Sequence, residues 1–287
     1  MTDESMQVSS PLRQLVSGLT PTAVVCFGIL AVLAFVVVTA PWIAPYGEGR
    51  ILSDESFAPS NAVFILGGDY LGRDLLSRLI FGTRITLSVA FAIAFFAFFV
   101  GCSLGFLAAI FGGLFDMVVS RVIDALIAFP AIMLALIVVA ALGPSVPVLI
   151  MTVAFIDSTR VYRVARALAM DIVVQDYIEA ARVRGERFGW IMRREILPNA
   201  LPPLAAEFGI RFTYAILFIS ALSFLGLGVQ PPQADLGVMI RENMQGMLYG
   251  SFAPLYPAVG IAAITITINL LVDWYLQQIG ASLPEEM

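Results

Sequence analysis

The sequence contains no histidine and no lysine: its sixteen basic residues are all arginine, and charged residues make up 13% of the 287 positions. Each shortage excludes something. Without lysine there is no GxxxxGK[ST] phosphate loop, so ATP must be bound on another chain. Without histidine the usual general base, the Ser–His pairing and the commonest metal ligand are missing, and no catalytic residue, metal site or cofactor is assigned. The two cysteines, Cys26 and Cys102, lie in apolar runs and read as small buried hydrophobes rather than a disulfide or a metal pair. Soluble domains carry roughly 25% charged residues. At 60% hydrophobic and a mean hydropathy of +0.92, this chain is a polytopic membrane protein. Its net charge of −5 gives no argument for a nucleic-acid partner, and none is expected.

What the chain has instead is long apolar runs. The uncharged stretch from Ala23 to Ile43 is long enough for a hydrocarbon core of about 30 Å, and too long for the apolar core of a cleaved signal peptide. It reads as the first span. Further spans are expected at Ile85 to Ile110, Met117 to Leu142 with a kink at Pro130, Gly143 to about Ile156, Leu201 to Leu225, and Tyr256 to Leu276. The fourth is short, which assigns Asp157 and Arg160 to its cytoplasmic end. Between the first two spans, Leu71, Leu75, Leu76, Leu79 and Ile80 share one side of a helix, opposite Arg73, Asp74 and Arg78. Asp69 would cap that helix and Gly82 would stop it, leaving it on the membrane surface or against the bundle. Gly226 to Leu255, with Pro231 and Pro232, reads as a folded external loop.

Eight of the sixteen arginines fall between Arg160 and Arg194, in the one strongly basic segment. From about Asp171, Val174, Tyr177, Ile178 and Ala181 form an apolar stripe at helical spacing. Gly185 offers a positive-φ stop after Arg182 and Arg184. Phe188, Ile191 and Glu195 resume helical spacing, and Pro198 limits that second helix before the next span. The expected shape is a short helical elbow with an apolar tip.

The elbow, EAARVRGERFGWIMRREILP from Glu179 to Pro198, resembles the EAA loop of ABC-importer permeases of the dipeptide, oligopeptide and nickel group. The match lies in Glu179, Ala180, Ala181, Gly185, Ile196, Leu197 and Pro198, extended by Asn199 and Ala200. GGDYLGRDLLSRLIFGTRITL, SFLGLGVQPP at Ser223 to Pro232 and, more weakly, NLLVD at Asn269 to Asp273 resemble the same group in the same order. The resemblance implies an all-α, six-span importer fold with a cytoplasmic coupling helix docked on an ATP-hydrolysing subunit. It divides the chain into residues 1–66, holding the N-terminal tail, first span and start of the external loop, and a permease domain over 67–287, with the coupling loop at about 171–198. Implied partners are two ATP-binding subunits, a second related permease forming a heterodimer, an external solute-binding protein and the lipid bilayer. The sequence departs from the group at Ile219, where many members are acidic, at Leu236, where many have tryptophan, and in the acidic tail with Glu285 and Glu286.

Placing the elbow inside gives ten cytoplasmic arginines against five external ones, obeying the positive-inside rule in an inner membrane with both termini cytoplasmic. Arg211 then lies within the fifth span, where a central arginine costs about 2.5–3.5 kcal/mol. Glu207, four residues earlier, could hold it in a local ion pair. Alternatively, both could lie on the translocation path, with Arg211 meeting a carboxylate. Arg121 and Asp124 are expected to anchor the third span at the interface. A self-contained secondary transporter or channel is the rival reading, although it predicts ion-coupling carboxylates in several spans and related halves that the sequence does not offer.

Overall fold

The computed structural model describes residues 19–62 and 64–281. Arg13, Glu285 and Glu286 lie outside them. The described residues form ten α-helices in chain order: α1 Pro21–Ile43, α2 Leu75–Phe111, α3 Gly113–Ile127, α4 Ala131–Leu142, α5 Val146–Val173, α6 Asp176–Val183, α7 Phe188–Ile191, α8 Leu197–Phe224, α9 Leu236–Asn243 and α10 Leu255–Ala281. A π-helical segment, Met192–Ile196, joins α7 to α8, and a 3-10 turn, Met244–Tyr249, follows α9. Among the described residues there is no strand, only two isolated bridges in the connection between α1 and α2. The fold is all-α.

The most extensive pairing is between α2 and α5. Its cause is a pair of glycines one helical turn apart on α2. A Cβ on Gly101 would come within 2.6 Å of Val161 Cβ, and one on Gly105 within 2.9 Å of the Tyr162 carbonyl oxygen. With neither side chain present, the two backbones approach closely, as small-xxx-small faces do in membranes. Around this pair the core gathers Ile93, Ala97, Val153, Val161, Ile216, Leu222 and Leu236. Ile219 and Leu236, the two departures from the permease group, are both fully buried there. The first helix, α1, leans on α2 and α10 and leaves most of its apolar surface outside the bundle.

Four stretches are long and apolar enough to cross a membrane: α1, α2, α10 and the run from Phe188 to Phe224. The third expected span is broken rather than gently kinked. Its two parts, α3 and α4, meet at 87°, so they make either one broken span or a re-entrant loop. Pro130 is the N-cap of α4, with the extended ψ that interrupts the helix before it. The fourth span also differs from expectation. The helix α5 has 28 residues and continues to Val173, which puts Asp157 and Arg160 near its middle. The charges of Asp157, Arg160, Arg163 and Arg166 keep α5 from qualifying as a span on composition, although it has the length.

The helix expected around residues 71–80 is the first part of α2. Asp74, not Asp69, caps it, accepting from Ser77 N at 2.8 Å, and it passes straight through a buried Gly82. Its polar side is not solvated. Arg73, Arg78 and Asp69 are buried together with Glu242 of α9. Arg73 Nε lies 2.6 Å from Asp69 Oδ2, and both arginines reach Glu242 Oε2, at 3.1 and 2.9 Å. Burial and the neighbouring Glu242 push the Tyr70 phenol up, so its neutral hydroxyl donates to Glu242 at 3.3 Å. Two cations against two anions make this burial tolerable, and the cluster ties the connection between α1 and α2 to α9.

Candidate functional site

The elbow forms, with its limbs shifted from the sequence expectation. Asp171 belongs to the end of α5, the chain turns at Val174 and Gln175, and α6 begins at Asp176 with Gln175 as N-cap. Asp176 and Glu179 occupy its first turn, where a helix N-terminus favours negative charge. Its end is a Schellman motif: Glu186 N donates to the Ala181 carbonyl at 3.1 Å and Gly185 N to the Arg182 carbonyl at 2.9 Å, with Gly185 at φ +80°.

The expected apolar stripe divides between two surfaces. Ile178 and Ala181 are fully buried in a second cluster with Ile191, Ile196, Ala200, Leu204, Phe106 of α2, and Ala165 and Ala169 of α5. Val174 and Val183 stay about four-fifths exposed, at 78% and 83%, and Tyr177 is half exposed. Together with Glu179 and Arg182, Val174 and Val183 line an open cleft on the outer face of the elbow. Glu179, Ala180, Gly185, Leu197 and Pro198 are exposed, whereas Ala181 and Ile196 face inward.

Pro198 does not end the second limb. Phe188 to Phe224 is one continuous rod in which α7 passes through the π-helical segment into α8. A proline has no N–H to give the carbonyl four residues back, and the wider π turn just before Pro198 absorbs that loss. Two side-chain contacts fasten the rod to its surroundings. Phe188 stacks on Phe111 at the end of α2, with centroids 5.2 Å apart and planes 10° apart, and Asn199 reaches the Tyr177 hydroxyl at 3.4 Å.

Farther along the rod, Arg211 donates through Nε to Glu207 Oε1 at 2.6 Å, and its Nη1 lies 3.5 Å from Asp157 Oδ1 on α5. The guanidinium also lies over the Tyr214 ring, 5.1 Å from its centroid. The local pair exists, therefore, and a second carboxylate joins it from another helix. The sequence reading missed Asp157 as a partner because it assigned that residue to a helix end. An aspartate and three arginines at three-residue spacing along one apolar helix were the available signal. On the elbow side of this cluster, α3 is fastened to α5 by Asp116 and Arg166 at 2.6 Å, the Ser120 and Tyr162 hydroxyls at 2.8 Å, and Asp124 and Arg163 at 2.6 Å. Asp124 thus pairs across helices rather than with Arg121.

Residues 101–283 match the family of binding-protein-dependent transport system inner membrane components. This chain belongs to that family. The family component is similar to the dipeptide transport system permease protein of Haemophilus influenzae, 32% identical over 250 residues that cover 85% of each chain. It is also similar to the di/tripeptide transport system permease protein of Pseudomonas aeruginosa, 32% identical over 94% of this chain and 92% of that one. The glutathione transport system permease protein of Pectobacterium atrosepticum is 33% identical over 82% and 78% of the two chains. Among solved structures, the crystal structure of an amino acid ABC transporter with histidines overlays 70% of this chain and 94% of that one, with a TM-score of 0.51 and 22% identity, a likeness of fold. The inner membrane component is thus a multi-pass permease subunit of an ABC importer.

Proposed function

We propose that this permease carries peptides, as part of a heterodimer with a second related permease. In this reading two ATP-binding subunits on separate chains drive it, and an external binding protein delivers the solute. The permease domain takes in residues 67–287, both termini lie in the cytoplasm, and the translocation path passes Glu207 and Arg211. The likeness to dipeptide, di/tripeptide and glutathione permeases supports a peptide cargo.

The observation that carries the coupling role is the continuity of elbow and rod. A displacement applied at the exposed face of α6, near Glu179 and Ala180, crosses one defined break at Gly185. It then enters a helix that runs without interruption through the bundle to Phe224 and carries Glu207 and Arg211. Ile196, Leu197 and Pro198 form the joint where that helix widens and re-tightens. Closure of the ATPases on nucleotide binding then moves the limb and rocks the spans between inward- and outward-open states.

A mild-detergent pull-down of tagged protein tests this, with wild type beside the double variant Gly185→Val, Glu179→Arg and bound chains identified by mass. Wild type should retain an ATPase and a second permease, and the double variant should lose the ATPase alone. If wild type comes down alone and still moves solute without ATP, the secondary-transporter reading replaces the proposal.

A further inference from the structure

Arg211 is already committed, to Glu207, Asp157 and the Tyr214 ring. Asp157 is not. Its Oδ1 is shared at 3.5 Å by Arg160 and Arg211, while Oδ2 is buried and has no hydrogen-bond partner. The Asp157 side chain is only 7% exposed, and an unsatisfied carboxylate oxygen at that burial is costly unless something completes it. Arg160 is the opposite case. Its side chain is 42% exposed, lines the cleft at the bend between α3 and α4, and has one ion pair among the described residues, the long one to Asp157.

At ~1.5 Å per residue, Asp157 and Arg160 lie about 17 and 21 Å along α5 from Val146. Read as the fourth expected span and entered at Val146, α5 carries both residues within a hydrocarbon core of about 30 Å. A half-exposed guanidinium there does not face lipid, because intramembrane charges turn to a bundle interior or a water-filled cavity. At Arg160 this face of α5 opens on the cleft at the α3–α4 bend.

Resting on the peptide-importer reading above, we infer that Asp157 and Arg160 form a subsite for a small zwitterion: Asp157 Oδ2 accepts from the ligand's ammonium and the Arg160 guanidinium donates to its carboxylate. Arg211 is a positioning residue that holds Asp157 through its Nη1 contact, and Glu207 in turn holds Arg211. The spacing suits a short ligand. Side chains three apart on a helix have Cβ atoms roughly 5–6 Å apart, and a two-residue peptide reaches at most about 7 Å. The 3.5 Å contact of Asp157 with Arg160 stands in for the two ligand charges, and a dipeptide opens it by offering each side chain an opposite charge.

The test uses the assembled importer in lipid nanodiscs, without its binding protein, and ligand-observed saturation-transfer NMR. The probes are dialanine, N-acetyl-dialanine and dialanine amide. Wild type should bind dialanine about tenfold or more tightly than either blocked peptide, the range expected for one charge-assisted hydrogen bond. Asp157→Asn should abolish the preference over N-acetyl-dialanine while keeping that over the amide. Arg160→Gln should do the reverse. A misfolded variant cannot produce that crossed pattern. Equal or undetectable binding of all three peptides by wild type, or either variant keeping both preferences, overturns the subsite. ATP-dependent uptake of dialanine, delivered by the binding protein to the same complex in proteoliposomes, separates the two readings. If uptake occurs without discrimination between termini, only the subsite falls; if no peptide uptake occurs, the importer reading and the subsite fall together.

Discussion

At Gly185 the backbone angle is the whole constraint. A Cβ there would meet nothing within 4 Å, so any cost of substitution comes from φ +80° and not from crowding. That cost is about 1–2 kcal/mol, enough to unwind a short helix end and too little to unfold a bundle. Gly185→Val should therefore reach the membrane at wild-type abundance and hydrolyse ATP in the complex without transporting; uptake and phosphate release measured on one preparation check this. Glu242 is the contrasting residue. It is buried and is the partner that Arg73 and Arg78 share besides Asp69, so Glu242→Gln leaves excess positive charge inside. Breaking a buried ionic group in this way costs about 3–5 kcal/mol, and the purified variant should show a clearly lowered melting temperature and weak accumulation.

The elements depend on close approach and on fastening. The Gly101 and Gly105 face sets how near α2 lies to α5, and Gly105→Leu would drive its side chain into the α5 backbone. Overpacking of that kind costs about 1–3 kcal/mol or more, and loss of folded protein in a fluorescence-detected size-exclusion profile is the expected result. The attachment of α3 to α5 is graded along its length. Asp116 is 19% exposed and bidentate to Arg166, whereas Asp124 and Arg163 are both 53% exposed. Exposed pairs are worth about 0–1 kcal/mol. Asp124→Ala should thus leave the melting temperature nearly unchanged, and Asp116→Ala should lower it; equal effects would show that exposure does not govern this contact.

For the whole molecule, the arginine distribution makes a topological prediction. With Cys26 and Cys102 replaced, a single cysteine at Arg187 should react with a membrane-impermeant maleimide only in inside-out vesicles, and one at Ser145 only in right-side-out cells. Both positions are exposed, so the result reports sidedness and not burial. Labelling of both from the same side would overturn the orientation and would leave α3 and α4 as a re-entrant loop.

The membrane class, the helical content, the elbow and its Gly185 break were legible in the sequence because each depends on local quantities: apolar run length, helical spacing and a residue tolerant of positive φ. The GxxxG face of α2 was legible in principle, but as spacing alone it does not say which helix it meets. Helix ends were the weak point. The sequence reading put Asp157 and Arg160 at the cytoplasmic end of α5 and stopped a helix at Gly82, because a charge or a glycine is a local end signal. Only the tertiary structure supplied the partners that override it: Arg211 from a helix some fifty residues away in sequence, and Glu242 more than one hundred and sixty residues beyond Arg78. Local chemistry fixes where a chain is able to form helix and enter a membrane. Whether a charge lies inside depends on an opposite charge brought from far along the chain, and that pairing is a property of the assembled fold.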